Sequence, residues 1–268
     1  KNGMDVITAQ NKYHGKLIGS FATGFVACWM AYTTFAFGQY ALGTNAIENL
    51  FGLYDISFPS QINWILLTVL SLPVALQYGK NDKMVHRVEG FIKILILLML
   101  VTFGVVLFHT GIDLGAAVKG LLIPTLPAGV AGISLLIASM SGVMAPNDWV
   151  QLHFAQRNRH YGTAHRRLAN FDMVFGGLLP VTLVLSFVGI AFAETFEGAS
   201  YPEDTYELAN ALVSAVPTRF IQIGFYIGVI ALIVSTLIGM SIIAAQSLCR
   251  AFNKPATPDS PLWKFGII

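Results

Sequence analysis

The residues best suited to chemistry lie in the run 133–153, where an apolar stretch is interrupted by Pro146, Asn147 and Asp148. Pro146 has no backbone N–H, so the carbonyl four residues earlier, that of Gly142, loses its helical partner. This carbonyl lies at the negative end of the preceding helical segment, where it attracts a cation. The break therefore predicts a cation site. Its predicted ligands are the carbonyls of Gly142 and Ala145 and the side chains of Asn147 and Asp148.

The alternative interpretation of Asn147 and Asp148 is structural. Either side chain can accept a hydrogen bond from the backbone at the start of a second half-helix. The two roles are compatible, since a capping carboxylate can also face a cavity. Unwound backbone at membrane depth is tolerated only where it lines a cavity or is buried in protein. Broken helices of this kind mark binding sites in many secondary transporters.

Composition shows which elements position this break. The chain has 268 residues, of which 55% are hydrophobic and 11% charged, and its mean hydropathy is +0.65. The net charge of +2 does not suggest a nucleic-acid partner, and two cysteines exclude a disulfide scaffold. A helix needs about 20 mostly apolar residues to span a bilayer. Runs without a charged residue cover 17–47, 56–79, 94–112, 120–147, 173–193 and 220–249.

These runs predict an all-α polytopic membrane protein with one discontinuous helix and a single transmembrane domain over 1–268. The chain begins and ends within polar or newly apolar segments, so we expect an internal piece of a longer protein. The partner implied by this composition is the lipid bilayer. The predicted helices are about 17–42, 62–77, 90–108, 128–145 with 147–156 as the broken helix, 173–192 and 220–245.

Loop charges predict the orientation. All but two of the 16 Lys and Arg residues fall in alternate loops and the two ends, the exceptions being Lys119 and Arg219. Positive charge collects on the cytoplasmic side of membrane proteins. We therefore expect both ends to be cytoplasmic, in a plasma or inner membrane.

Several short motifs, in this order and spacing, resemble the NRAMP divalent-metal transporters from their third to their eighth transmembrane helix. The motifs are Asn49-Leu50-Phe51-Gly52-Leu53, Val88-Glu89, Lys119-Gly120-Leu121 with Pro124 and Pro127, Phe171-Asp172 and Ser235-Thr236. The resemblance implies part of a LeuT/APC-type inverted-repeat bundle. It also implies secondary transport of a divalent cation by alternating access, with no cofactor, and places Ser235 and Thr236 along the path.

The chain departs from the family at the break. Where the family has Met-Pro-His-Asn, this chain has Ala145-Pro146-Asn147-Asp148. A thioether selects soft transition metals, whereas carbonyl, amide and carboxylate oxygens suit hard cations. Acidic family positions on the preceding helix align with Phe37 and Tyr40. The resemblance is thus to the NRAMP-related branch that accepts Mg²⁺ and Mn²⁺, without strong proton coupling.

Two other function classes compete with this reading. A transporter of the same fold could carry a small organic solute, such as an amino acid or a nucleobase, beside Trp149 and the small residues before the break. An intramembrane enzyme would need paired catalytic groups at membrane depth. The sequence contains no paired histidines, Ser/His set or carboxylate pair on one helical face, so we do not expect an enzyme.

Overall fold

The computed structural model describes residues 4–78, 80, 82–123, 161–196 and 205–268, together with the isolated positions 133, 137, 150, 153, 154 and 156. Helices dominate this part of the chain, and no strand occurs within it. Four of the described helices are long and apolar enough to cross a membrane: Leu17–Gly52, Ser60–Gln77, His86–Thr110 and Arg219–Ala251. The predicted all-α membrane architecture is confirmed.

The helices are labelled here in chain order, for the described residues only. They are α1 (Val6–His14), α2 (Leu17–Gly52), α3 (Ser60–Gln77), α4 (Asp82–Thr110), α5 (Leu114–Leu122), α6 (166–196), α7 (Thr205–Ala215), α8 (Arg219–Ala251) and α9 (Pro261–Ile267). Several helices predicted from hydropathy are shorter than those in the structure, because hydropathy detects only the part of a helix that lies in the membrane. Apart from the isolated positions given above, the predicted broken helix, 128–145 with 147–156, lies outside the described residues.

Two helices show local departures from α geometry. Wider π-helical turns occupy Leu17–Phe25 and Ala31–Ala36 of α2, and Asp172–Leu178 of α6. Helical residues 166–171 precede Asp172, so this carboxylate lies inside α6 rather than at its start. Such turns often mark functional positions. In α2 the second of them ends directly before Phe37.

Helix α8 is the hub of the bundle, since it packs against α2, α3, α4, α7 and α9. Gly224 and Gly228, one turn apart, allow α4 to approach closely. A Cβ on Gly224 would overlap Thr102, and one on Gly228 would overlap Met99. This small-residue spacing is the usual device for close packing of membrane helices, where lipid gives little driving force for association.

A second close approach joins α8 to α2 and α3. A Cβ on Gly43 would lie 2.6 Å from Leu67 Cδ1 and 3.1 Å from Ile233 Cγ2. Around this point a buried cluster forms from the three helices and α4. The outer faces of α4 and α6 instead expose large apolar side chains, as expected of surfaces that face lipid. Examples are Phe91, Ile94, Leu97, Leu183 and Leu185.

Candidate functional site

The predicted cation ligands fall on the part of the chain that is not described. Gly142, Ala145, Asn147 and Asp148, with the motif residue Pro146, all lie outside the described residues. Four other predicted site residues are described: Phe37, Tyr40, Ser235 and Thr236.

Phe37 and Tyr40 lie one helical turn apart on α2 and both contact Trp64 of α3. The Tyr40 ring stacks on the Trp64 ring at 5.3 Å between centroids, and Phe37 meets the same ring edge-on at 6.2 Å. The Tyr40 hydroxyl shares a 2.9 Å hydrogen bond with Thr68 Oγ1. Thr68 Oγ1 also bonds the Trp64 carbonyl at 2.9 Å. We call these four residues the aromatic cluster.

The aromatic cluster contains no carboxylate or histidine. Its polar side-chain groups are the Tyr40 and Thr68 hydroxyls, which bond each other, and the Trp64 indole N–H. Phe37 is 62% exposed, so the cluster also presents a large apolar surface. A site of this chemistry can hold a helix pair together, but it cannot relay protons through carboxylates.

Ser235 and Thr236 lie in the middle of α8, the hub helix. Ser235 is exposed, and Thr236 is half-buried with its hydroxyl bonded to the Leu232 carbonyl at 2.9 Å. The flanking residues Val234 and Leu237 are buried in the cluster that also contacts Tyr40. The structure thus brings the two α8 residues and the aromatic cluster to neighbouring parts of one packed unit. Among the described residues, no hydrogen bond or ring contact joins the two α8 residues to the aromatic cluster.

Two described residues beyond the predicted break pack at one end of the bundle. Val150 and Phe154 are buried, at 0% and 5% exposure, against Ile7 of α1. Val6 of α1 and Ala256 of the loop after α8 also pack against these residues. Val150 and Phe154 therefore lie at the end of the bundle where α1 packs.

A buried ion pair fixes α1 at this same end. Asp5 precedes α1, and its side chain is 4% exposed and lies 3.5 Å from Arg250 Nε of α8. Thr8 donates to both Asp5 oxygens, from its backbone N at 2.9 Å and from its hydroxyl at 2.8 Å. We call Asp5, Thr8 and Arg250 the α1 clasp. Its carboxylate is paired and hydrogen-bonded, as a buried charge must be.

At the opposite end, α2 and α3 carry polar side chains that sequence reasoning missed. The Asn63 amide donates to Glu48 Oε1 at 3.3 Å. Asn63 is 1% exposed and Thr44 is 8% exposed. Within the described residues, neither Asn63 Oδ1 nor Thr44 Oγ1 has a hydrogen-bond partner. We call Thr44, Glu48 and Asn63 the Glu48 cluster.

The sequence offered a signal for these residues. Asn63 carries one of three side-chain amides in the uncharged run 56–79, and Thr44 and Glu48 are one turn apart on the preceding helix. Antiparallel pairing of two consecutive helices through Gly43 and Leu67 brings them together. Only the helix pairing makes this visible, because the residues are separated by a loop in the sequence.

Comparison with known proteins gives one match. The family model described as natural resistance-associated macrophage protein-like, Nramp, matches residues 8–268. No curated protein matches the chain. No solved structure matches it either.

Proposed function

Because the chain belongs to the Nramp family, we propose that it carries hard divalent cations, Mg²⁺ or Mn²⁺, by alternating access. Transport of a divalent metal ion follows from membership of the family itself. Nramp proteins are membrane transporters of divalent metal ions with the LeuT fold, and they are not enzymes. The metal is substrate here. Family membership also favours the cation over the organic solute.

The proposed site is the predicted break, where the Gly142 and Ala145 carbonyls and the Asn147 and Asp148 side chains would contact the cation. The observation that carries this proposal is the residue pair Ala145 and Asn147. They stand where the resemblance expects a methionine thioether and an imidazole. Without those groups the donors are oxygen atoms, which suit a hard and partly hydrated cation.

We further propose that transport is not strongly coupled to protons. The aromatic cluster supports this proposal. Phe37 and Tyr40 occupy the positions at which the resemblance expects carboxylates, and both rings pack on Trp64 instead. A carboxylate can take up and release a proton near neutral pH when its pKa is raised, and neither Phe37 nor Tyr40 supplies a carboxylate.

The orientation is also a proposal. Two ion pairs join charged residues at one end of the bundle. Arg250 pairs with Asp5, and Lys80 lies 3.4 Å from Asp259. This end is the one rich in Lys and Arg, so the positive-inside rule makes it cytoplasmic. We propose the plasma membrane as its location, with the Glu48 cluster on the outer side.

Uptake by the full-length protein in proteoliposomes tests the proposal, with Mg²⁺ and Mn²⁺ measured side by side and internal pH recorded. We expect uptake of both ions without acidification. The Ala145→Met variant should raise Mn²⁺ uptake relative to Mg²⁺, by roughly tenfold, because a thioether favours the softer ion. Uptake of neither ion by the wild type contradicts a divalent-cation transporter. Acidification contradicts only the statement on protons.

A second variant for this assay is Asp148→Ala. It removes the proposed carboxylate and should abolish uptake by protein that elutes as a folded species in detergent. Unchanged uptake by this variant would reduce Asp148 to a helix cap. An Ala145→Met variant with the wild-type ion preference would show that Ala145 does not face the cation.

A further inference from the structure

We propose that the Glu48 cluster is a second divalent-cation site, separate from the predicted break, at the end of the bundle where α2 ends and α3 begins. It would hold a hydrated hard cation of the Mg²⁺ class. The binding site itself does not depend on transport. Its role in delivering substrate rests on the proposed function above.

The first reason is the position of the polar atoms. Asn63 lies in the first turns of α3 and contacts Glu48 through its amide, at 3.3 Å from Nδ2 to Oε1. One turn further along α3, Leu67 is in contact with the Gly43 position of α2, directly beside Thr44. Thr44 lies four residues from both Tyr40 and Glu48 on α2, and both of those residues bond α3. Thr44, Glu48 and Asn63 therefore lie at the contact between the two helices.

The second reason is the absence of partners for two buried oxygen atoms. Among the described residues, Asn63 Oδ1 and Thr44 Oγ1 are buried without a hydrogen bond. A polar group left in this state costs about 1–3 kcal/mol. A cation held at the Glu48 carboxylate would give Thr44 Oγ1 a partner, and Asn63 Oδ1 would become a ligand once its amide rotates toward that carboxylate.

The third reason is the chemistry of the donor set. A carboxylate, an amide carbonyl and a hydroxyl are all oxygen donors, which Mg²⁺ and Ca²⁺ prefer. Glu48 is exposed, so a cation reaching it from water would keep part of its hydration shell. Mg²⁺ gives up its waters reluctantly and is commonly held by one or two carboxylates with water completing the octahedron. The cluster suits such partial coordination.

The Asn63 amide needs no large movement to serve as a ligand. Rotation of its terminal amide exchanges Oδ1 and Nδ2, which are nearly alike in shape. With a cation bound, Oδ1 would face Glu48 and both oxygens would contact the ion. Without a cation, Nδ2 faces the carboxylate, as observed. Ion binding is therefore expected to switch one side-chain torsion and leave the backbone in place.

Mn²⁺ binding to the full-length protein in detergent, followed by electron paramagnetic resonance and competed with Mg²⁺, tests this proposal. Wild type, Glu48→Gln, Asp148→Ala and the double variant are compared. Glu48→Gln retains an oxygen to accept from Asn63, so the fold should persist while the charge is lost. We expect it to weaken one class of bound Mn²⁺ at least about fivefold, since one unit charge near a protein surface is removed.

Asp55→Asn is the matched control, since it removes a carboxylate from the loop between the same two helices. It should leave Mn²⁺ binding unchanged, whereas Asn63→Asp should strengthen it. Mn²⁺ binding that Glu48→Gln does not alter overturns the second site. Loss of a bound ion in Asp148→Ala alone, with none lost in Glu48→Gln, does the same and leaves the break site intact.

Uptake then tests the role of the site. With the cluster acting as a delivery site, Glu48→Gln should raise the Mg²⁺ concentration for half-maximal uptake by a few-fold and leave the maximal rate nearly unchanged. An unchanged concentration dependence together with weakened Mn²⁺ binding would contradict delivery but uphold the site.

Discussion

The α1 clasp and the Glu48 cluster treat their buried side-chain oxygen atoms in opposite ways. At the α1 clasp, the Asp5 carboxylate is 4% exposed and is satisfied by Arg250 and by two donors from Thr8. At the Glu48 cluster, Asn63 and Thr44 are similarly buried, yet one oxygen atom of each has no partner within the described residues.

This difference separates a structural role from a binding role. A fully paired buried charge stabilises the packing of the helices around it, because removal of one partner leaves the other uncompensated. A buried oxygen without a partner lowers the stability of the fold and is available to a ligand. The comparison therefore predicts opposite consequences for substitutions at the two ends.

The largest effect is expected for Arg250→Ala at the α1 clasp. It leaves the Asp5 carboxylate buried without its counter-ion, which should lower the free energy of unfolding by about 3 kcal/mol. A thermal unfolding curve of the purified protein in detergent measures it. Arg250→Lys keeps the charge and should lose less. Equal unfolding temperatures for Arg250→Ala and wild type would break the comparison, since the clasp would then be no more than a surface pair.

An intermediate effect is expected for Gly19→Ala, at the contact between α1 and the start of α2. A Cβ on Gly19 would lie 2.6 Å from the Asn11 backbone N and 2.7 Å from the Ile7 carbonyl oxygen. Backbone atoms cannot move aside cheaply, so we expect a loss of about 1–3 kcal/mol in the free energy of unfolding.

Gly38→Ala, in the same helix, is the control for that variant. No atom lies within 4 Å of a Cβ at Gly38, and alanine favours the helix by up to about 1 kcal/mol. The two substitutions should therefore shift the unfolding temperature in opposite directions. A shift of the same sign and size in both would show that α1 is not held closely against α2.

The smallest effect is expected from the removal of a single hydroxyl, at Thr44 or at Ser20. Thr44→Val removes a buried hydroxyl that has no partner in the described part of the chain, so it should leave the unfolding temperature unchanged or slightly raised. Ser20→Ala removes a hydroxyl that accepts from Asn11 Nδ2 at 2.9 Å and should cost about 1 kcal/mol. Equal losses in the two variants would mean that Thr44 is satisfied in solution and would weaken the proposed cation site.

The sequence determined the class of the protein and much of its membrane architecture. Runs of uncharged residues long enough to span a bilayer leave few alternatives to membrane helices, because unpaired backbone groups are costly in lipid. Local chemistry also pointed to the break at Pro146, since a missing N–H frees a carbonyl whatever surrounds it. The family match over 8–268 supports the same class.

Helix limits could not be predicted as well. The structure continues α2 to Gly52 and begins α4 at Asp82, through polar and charged residues that hydropathy assigns to loops. A helix can continue from lipid into water with the same pattern of backbone hydrogen bonds. A run of apolar residues therefore predicts which part of a helix lies in the membrane, but not the residue at which the helix ends.

Only the tertiary structure decided which polar residues meet. The sequence separates Asp5 from Arg250, Tyr40 from Thr68 and Glu48 from Asn63, and no local rule pairs them. These pairs arise because glycines such as Gly43 and Gly24 let α2 approach α3 and α8 closely, which fixes the register of neighbouring helices. Whether a buried oxygen is satisfied depends on that register, so the contrast between the α1 clasp and the Glu48 cluster is visible only in three dimensions.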